Sequence, residues 1–182
     1  KETLELLSTE DILKPSSRGP NAKVLLDSIS LNGDRVITLE VILHRFVLAE
    51  FNTHRVFSRN SASSRAIPIS KVIDEVKNNP ALPVEWGQNC SGMSSKSTLN
   101  QENQIQAEKV WLESLNLMLQ QVEKLNQIGV HKQIVNRLLE PFKWHRLIVT
   151  STEWNNFFKQ RIHPEAQPEI RAAAIAMREA ID

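Results

Sequence analysis

The fold is decided by residues 23–43, which read Lys-Val-Leu-Leu-Asp-Ser-Ile-Ser-Leu-Asn-Gly-Asp-Arg-Val-Ile-Thr-Leu-Glu-Val-Ile-Leu. Two apolar runs, Lys23–Leu31 and Val36–Leu43, flank the sequence Asn32-Gly33-Asp34. Asn-Gly between apolar runs is a strong signal for a tight hairpin turn. The pattern therefore predicts two antiparallel strands, and residues 44–51 beyond them can form a short helix.

Helical periodicity dominates the rest of the chain. It predicts helices at residues 70–79, 103–128 and 131–139, a helix through Trp154, Phe157 and Phe158 capped by Ser151 or Thr152, and a last helix after Pro168. Residues 1–13 carry a short amphipathic pattern, and residues 80–100 have no periodicity. The apolar run at residues 144–150 fits either a strand or a helix.

The amino-acid composition limits the classes of function that the protein can have. A chain of 182 residues with 41% hydrophobic and 24% charged residues fits one globular domain. The formal net charge is +1, so any anion must be bound by a local cluster of charges. The single cysteine, Cys90, excludes an internal disulfide and fits a reducing cytoplasm. No signal peptide and no membrane-spanning run are recognised, so a cytoplasmic protein without a membrane partner is expected.

A polar segment follows the predicted hairpin at residues 52–68. It contains three arginines, one histidine, four serines and no acidic residue. Arginine and serine side chains donate hydrogen bonds to phosphates and to the oxygen-rich edges of bases. Because an apolar, strand-like run precedes the segment, a rigid support for a binding site is expected there.

Other kinds of site have little support. The five histidines lack the spacing of metal ligands, and the five glycines form no phosphate-binding loop. We therefore expect no metal, and any nucleotide must be held by side chains. Sequence-specific binding of nucleic acid is a weaker alternative, because the net charge is near zero and no recognised motif is present.

The polar segment resembles the signature of the flavin-dependent thymidylate synthases, Arg-His-Arg-x-x-Ser-x-Asn-Glu-x-Ser-x-Arg. Six signature positions are matched, by His54, Arg55, Ser58, Asn60, Ser63 and Arg65. Two downstream blocks, Gly129–Pro141 and Asn156–Ile170, are similar to two other blocks of that family. The resemblance begins near Lys23, and it is to a shortened, divergent, phage-like member.

The resemblance implies an α+β fold, with a mixed or antiparallel sheet flanked by helices. It implies an N-terminal arm at residues 1–22 and a single domain over residues 23–182. Members are homotetrameric enzymes with sites at subunit interfaces, which bind FAD and methylate dUMP to dTMP. Methylenetetrahydrofolate supplies the carbon and NADPH reduces the flavin.

The resemblance also assigns residues to the site. Seven would bind the nucleotide: Glu50, Ser61, Ser63, Ser64, Arg65, Arg137 and Arg161. Six would bind the flavin: Thr53, His54, Arg55, Ser58, Asn60 and Asn156. Catalysis would involve Ser63, Arg65 and Arg161, whose donors would stabilise negative charge on the pyrimidine.

The chain departs from the family pattern at several places. Thr53, Ser61 and Glu165 replace an arginine, a glutamate and a histidine, and a His-x-x-Pro-Phe-Glu-His segment upstream is absent. The nucleotide can therefore be dUMP or a close analogue such as dCMP, with a related one-carbon product. The alternative is a non-catalytic or regulatory protein that binds a pyrimidine nucleotide without flavin chemistry.

Overall fold

A four-stranded sheet forms the framework of the computed structural model, which describes residues 19–182. Its strands are β1 (Asn21–Ile29), β2 (Arg35–His44), β3 (Ser58–Ser61) and β4 (Trp144–Ser151). They lie in the order β1-β2-β4-β3, and every neighbouring pair is antiparallel. With the helices described below, this arrangement confirms the predicted α+β fold.

The predicted hairpin is confirmed. β1 pairs with β2, and its turn is closed by bonds from Ser30 N to Asp34 O (2.8 Å) and from Gly33 N to Ser30 O (3.0 Å). Gly33 has a φ of 90°, a conformation that residues with a Cβ adopt at a cost. β1 ends at Ile29, before the predicted boundary at Leu31, because the turn begins at Ser30.

Six α-helices and two 3-10 helices are present within residues 19–182. The α-helices are α1 (Leu48–Phe51), α2 (Ile69–Asn78), α3 (Gln101–Gln127), α4 (Lys132–Val135), α5 (Asn155–Arg161) and α6 (Pro168–Ile181), and the 3-10 helices are Arg45–Val47 and Asn136–Phe142. The predicted helices at residues 70–79, 103–128 and after Pro168 are confirmed. None of these helices is long and apolar enough to cross a membrane.

Two predictions of helices need correction. The single helix expected at residues 131–139 is the short α4 followed by a 3-10 helix that contains Pro141. Proline has no N–H and its ring clashes with the carbonyl four residues earlier, so a regular α-helix does not extend there. Ser151 does not cap α5, because its hydroxyl bonds to the backbone of Glu153 and the helix begins at Asn155 without a side-chain cap.

The described residues form two compact units, each with its own core. The sheet unit comprises residues 19–62, 92–94 and 144–182, and the helical unit comprises residues 63–91 and 95–143. Their buried apolar clusters include Leu39, Val41, Phe51, Val149, Phe157, Ile170 and Met177 in the sheet unit, and Val72, Val76, Leu112, Leu115, Leu119 and Leu139 in the helical unit.

The predicted boundaries of arm and domain stay predictions. The helix expected in residues 1–13, and most of the arm at residues 1–22, lie outside the described residues. Residues 80–100 were expected to lack regular structure, and a short bridge there pairs Gly87 with Thr98.

We predict that Gly33→Ala destabilises the protein without changing the fold. The added Cβ meets no atom within 4 Å, so the effect comes only from the positive φ and should be about 1–2 kcal/mol. The free energy of unfolding in urea measures it. Gly19→Ala is the matched control, since its Cβ also meets nothing and its φ is ordinary. Equal stability of both variants would contradict the assigned turn.

Candidate functional site

The middle of the polar segment is a strand, β3 (Ser58–Ser61), that sequence patterns do not predict. β3 pairs with β4, with Ser58 opposite Thr150 and Asn60 opposite Ile148. β3 is at the edge of the sheet, and Ser58, Asn60 and Ser61 are exposed. Because side chains alternate along a strand, Ser58 and Asn60 share one face and present polar groups side by side.

Arg161 is the centre of a hydrogen-bonded cluster in the sheet unit. At the end of α5, its Nη1 donates to the Glu50 carboxylate, its Nε donates to His54 Nε2 (2.8 Å) and its Nη2 lies 3.4 Å from Thr53 Oγ1. The Thr53 hydroxyl in turn donates to the carbonyl of Glu50 (2.7 Å). Four of the predicted site residues are therefore in direct contact, although Arg161 lies more than 100 positions from the other three in the chain. We call Glu50, Thr53, His54 and Arg161 the Arg161 cluster.

The guanidinium of Arg161 keeps some capacity for a ligand. It carries five N–H groups, of which the Arg161 cluster uses three, so each Nη has one left. The side chain is 18% exposed and that of Glu50 is 30% exposed. Because the Glu50 carboxylate already balances the positive charge, the two remaining donors suit neutral acceptor oxygens better than a second anion.

His54 is buried and neutral. Its residue is 6% exposed, and its ring packs edge-on against Phe157 with centroids 4.8 Å apart. Burial is the main cause that lowers the pKa of His54, and the positive charges of Arg161 and Arg59 lower it further. Since Nε2 accepts a hydrogen bond from Arg161, the proton of the neutral ring is on Nδ1.

Arg59 anchors the same region from β3. Its Nη1 donates to the carbonyl of His54 at 2.6 Å, which holds the backbone of the polar segment against the sheet. Arg55 and Asn156 are exposed, and Asn156 Oδ1 accepts from Gln160 Nε2 (3.2 Å). Within residues 19–182, neither donates to or accepts from the Arg161 cluster.

The remaining predicted residues lie in the helical unit. Ser63 begins a turn in which its carbonyl accepts from Ala66 N (2.9 Å) and its hydroxyl lies 3.4 Å from Arg65 N. Arg65 is exposed, and no carboxylate of the described residues pairs with it. Arg137 is half-exposed and donates to Glu140 Oε1 (2.7 Å).

The turn that begins at Ser63 is held by Asn136, a residue that sequence analysis does not identify. Asn136 is 1% exposed, and its Nδ2 donates to the carbonyls of Ser64 (2.8 Å) and Ile67 (3.0 Å). Its neighbour in the chain is Arg137, so Asn136 links the backbone of the predicted serines to the segment that carries Arg137. No sequence pattern marks an isolated asparagine for such a role.

Among residues 19–182, no group of three or more histidine, cysteine, aspartate or glutamate side chains could hold an ion. Cys90 is exposed. The side chains brought together instead suit the binding of an oxygen-rich organic ligand.

We predict that acid destabilises the protein through His54. Its folded pKa is below the ordinary 6.5, so the unfolded chain binds the proton more readily and stability falls as the pH drops below about 6.5. The melting temperature, measured at about pH 7.5 and about pH 5.5, should fall less in His54→Gln than in the parent protein. His163→Asn, at an exposed position of the same unit, should keep the parental decrease. Identical decreases in all three proteins would refute the assignment.

Comparisons with known proteins bear on the fold and the family of the chain. The chain's fold is similar to the crystal structure of a UMP/dUMP methylase, PolB from Streptomyces cacaoi, bound with 5-Br UMP. The TM-score is 0.68 and the identity is 14%, over 90% of this chain and 89% of that one, so the likeness shows the fold alone. No curated protein matches the chain significantly. The family model described as thymidylate synthase complementing protein, Thy1, matches residues 34–182. This match covers most of the chain and confirms the resemblance noted in the polar segment: the protein belongs to the Thy1 family, the flavin-dependent thymidylate synthases.

Proposed function

We propose that this protein methylates a pyrimidine deoxynucleotide, converting dUMP to dTMP with FAD, methylenetetrahydrofolate and NADPH, or carries out a closely related one-carbon modification. Membership of the Thy1 family supports the reaction class. The neighbour of similar fold, named as a UMP/dUMP methylase, supports the pyrimidine substrate. The observation that carries the proposal is the Arg161 cluster, which offers fixed donors on a charge-balanced, half-buried support.

Arg161 is assigned to the pyrimidine base, to which it would donate hydrogen bonds. Methylation requires carbon 5 of the pyrimidine to act as a nucleophile, and negative charge then develops on the ring carbonyls. Fixed N–H donors stabilise such charge strongly when they are already oriented. The hydrogen bonds that Arg161 donates to Glu50, Thr53 and His54 orient the guanidinium before any ligand binds. Glu50 therefore acts on the substrate through Arg161.

The phosphate is assigned to Arg65. Unlike Arg161, Arg65 has no carboxylate partner among residues 19–182, so its full charge is available for a dianion. Ser61, Ser63 and Ser64 add hydroxyl and backbone donors from the neighbouring positions. Arg137 is already paired with Glu140, and it is expected to make a secondary contact.

The exposed polar residues of the sheet unit fit a flavin. Ser58 and Asn60 on β3 and the exposed Arg55 supply donors for its polar edge and its phosphates, and Asn156 supplies an amide. The neutral ring of His54, whose Nε2 already accepts from Arg161, can donate a hydrogen bond from Nδ1 without adding charge. FAD, when bound, supplies the redox chemistry that reduces the transferred carbon. The residues of this chain bind and orient it.

Assembly of a homotetramer remains part of the proposal. α3 exposes two large apolar side chains seven residues apart and therefore on one side of the helix, Val110 (54% exposed) and Leu117 (51% exposed). Exposed apolar side chains on one side of a long helix are suited to association with another copy. Sites at subunit interfaces would then draw exposed donors such as Arg55 from a second protomer.

A second candidate function is nucleotide binding without catalysis. It is favoured by Thr53, which occupies the position of an arginine in the family signature. Thr53 carries no charge, and its hydroxyl lies beside Arg161. In that case the nucleotide-binding residues would be retained while the flavin is lost.

We predict that the purified protein, incubated with FAD and separated from free flavin by gel filtration, is yellow and shows the absorption bands of oxidised flavin. NADPH should bleach these bands when dUMP is present. A colourless protein that binds dUMP tightly would instead establish the non-catalytic alternative. Failure to bind either ligand would reject both functions.

We also predict that Arg65→Ala and Arg161→Ala each weaken dUMP binding by about 1.5–3 kcal/mol, because each removes hydrogen bonds to a charged or polarised ligand. Titration calorimetry measures the loss. Arg178→Ala is the matched control, since Arg178 is an exposed arginine of α6 whose partner is Asp182 (3.6 Å). If both site variants bind dUMP as tightly as the control, the assigned residues are wrong.

A further inference from the structure

Asn136 is a buried amide whose two N–H groups are both used on one turn. It is 1% exposed and begins the 3-10 helix that follows α4. Its Nδ2 donates to Ser64 O at 2.8 Å and to Ile67 O at 3.0 Å, positions 72 and 69 residues earlier in the chain. The amide therefore spans the turn and fixes the direction of the carbonyls at both of its ends.

A second side chain holds the same turn from α4. Lys132 Nζ donates to the carbonyl of Ala66 at 3.2 Å. Together with Asn136, it satisfies three of the four carbonyls in residues 64–67. Inside the turn, Ala66 N bonds to Ser63 O (2.9 Å), so the backbone next to Arg65 is restrained from both directions.

The other end of the amide has no partner within the described residues. Its Oδ1 is buried, and it has no hydrogen-bond partner among residues 19–182. A buried acceptor without a partner is unfavourable. The neighbours Val135 and Leu139 are buried and apolar, so the environment is one in which an apolar side chain would avoid that penalty. The contribution of Asn136 is therefore the pair of hydrogen bonds that its Nδ2 donates to the carbonyls of Ser64 and Ile67.

We propose that Asn136 is a positioning residue for nucleotide binding. It does not contact the ligand; it holds the backbone of residues 63–67 so that Ser63 and Arg65 meet the nucleotide already oriented. Preorganisation of this kind increases affinity because less conformational freedom is lost on binding. This inference rests on the proposed function of the same site.

The test compares two identical substitutions in the helical unit. Asn136→Asp replaces the Nδ2 amide group, and with it both N–H donors, by one carboxylate oxygen that repels the carbonyls of Ser64 and Ile67. Asn116→Asp is the control, because Asn116 on α3 is also partly buried with an unpartnered Oδ1. Asn136→Asp should raise the Kd for dUMP by about 10-fold or more, the loss expected for two hydrogen bonds, and Asn116→Asp should leave it near the parental value.

A milder variant covers the case in which Asn136→Asp does not fold. Lys132→Met removes only the bond to Ala66 and keeps the aliphatic stem, so it should raise the Kd for dUMP about 3-fold. Melting temperatures are measured for the same variants. If Asn136 had only a structural role, Asn136→Asp would lower the melting temperature, but its dUMP affinity would fall no more than that of an equally destabilised Asn116→Asp.

Amide hydrogen exchange separates failure of this inference from failure of the proposed function. Exchange at residues 63–67 should be faster in Asn136→Asp, or in Lys132→Met, than in Asn116→Asp, and this readout needs no ligand. Unchanged exchange overturns the inference, and so does faster exchange with unchanged dUMP affinity. If the parent protein binds no dUMP, the proposed function fails and the positioning role fails with it, whatever the exchange shows.

Discussion

The hydrogen bonds of Arg161 are the constraint on which the site depends. A guanidinium at the end of α5 is tied to residues 50–54, which lie where α1 leads into the polar segment. The carboxylate of Glu50 balances its charge, and burial keeps His54 neutral so that it can accept a hydrogen bond. The guanidinium of Arg161 is therefore held in one orientation and keeps two N–H donors for a ligand. The proposed methylation of a pyrimidine requires oriented donors of this kind.

Each of the two units presents its own set of polar side chains. The sheet unit presents the Arg161 cluster and an edge strand of short polar side chains, which suit flat rings with oxygen and nitrogen atoms at their edges. The helical unit presents Arg65, which has no carboxylate partner among residues 19–182, on a turn whose carbonyls accept hydrogen bonds from Asn136 and Lys132. An arginine paired with a carboxylate suits neutral acceptor oxygens, whereas one without such a partner suits an anion.

Much of the framework could be predicted from local patterns. Asn32-Gly33 predicts the hairpin, and apolar periodicity predicts α2, α3 and α6. β3 could not be predicted, because Ser58–Ser61 has no β-branched residue and becomes a strand only by pairing with β4. The bond between Arg161 and Glu50 joins positions 111 residues apart. Only the family resemblance brought them into one site, and Asn136 was missed because its role depends on a tertiary contact.

In the proposed function, Arg161 donates hydrogen bonds to the pyrimidine ring. A crystal structure of the protein with FAD and 5-bromo-dUMP tests it most directly, because the anomalous signal of bromine locates the base. We expect the base to lie with a ring carbonyl in hydrogen-bonding contact with a terminal nitrogen of Arg161, while that side chain still bonds to Glu50 and His54. A bromine position far from Arg161, with the Arg161 cluster unchanged, would contradict the account.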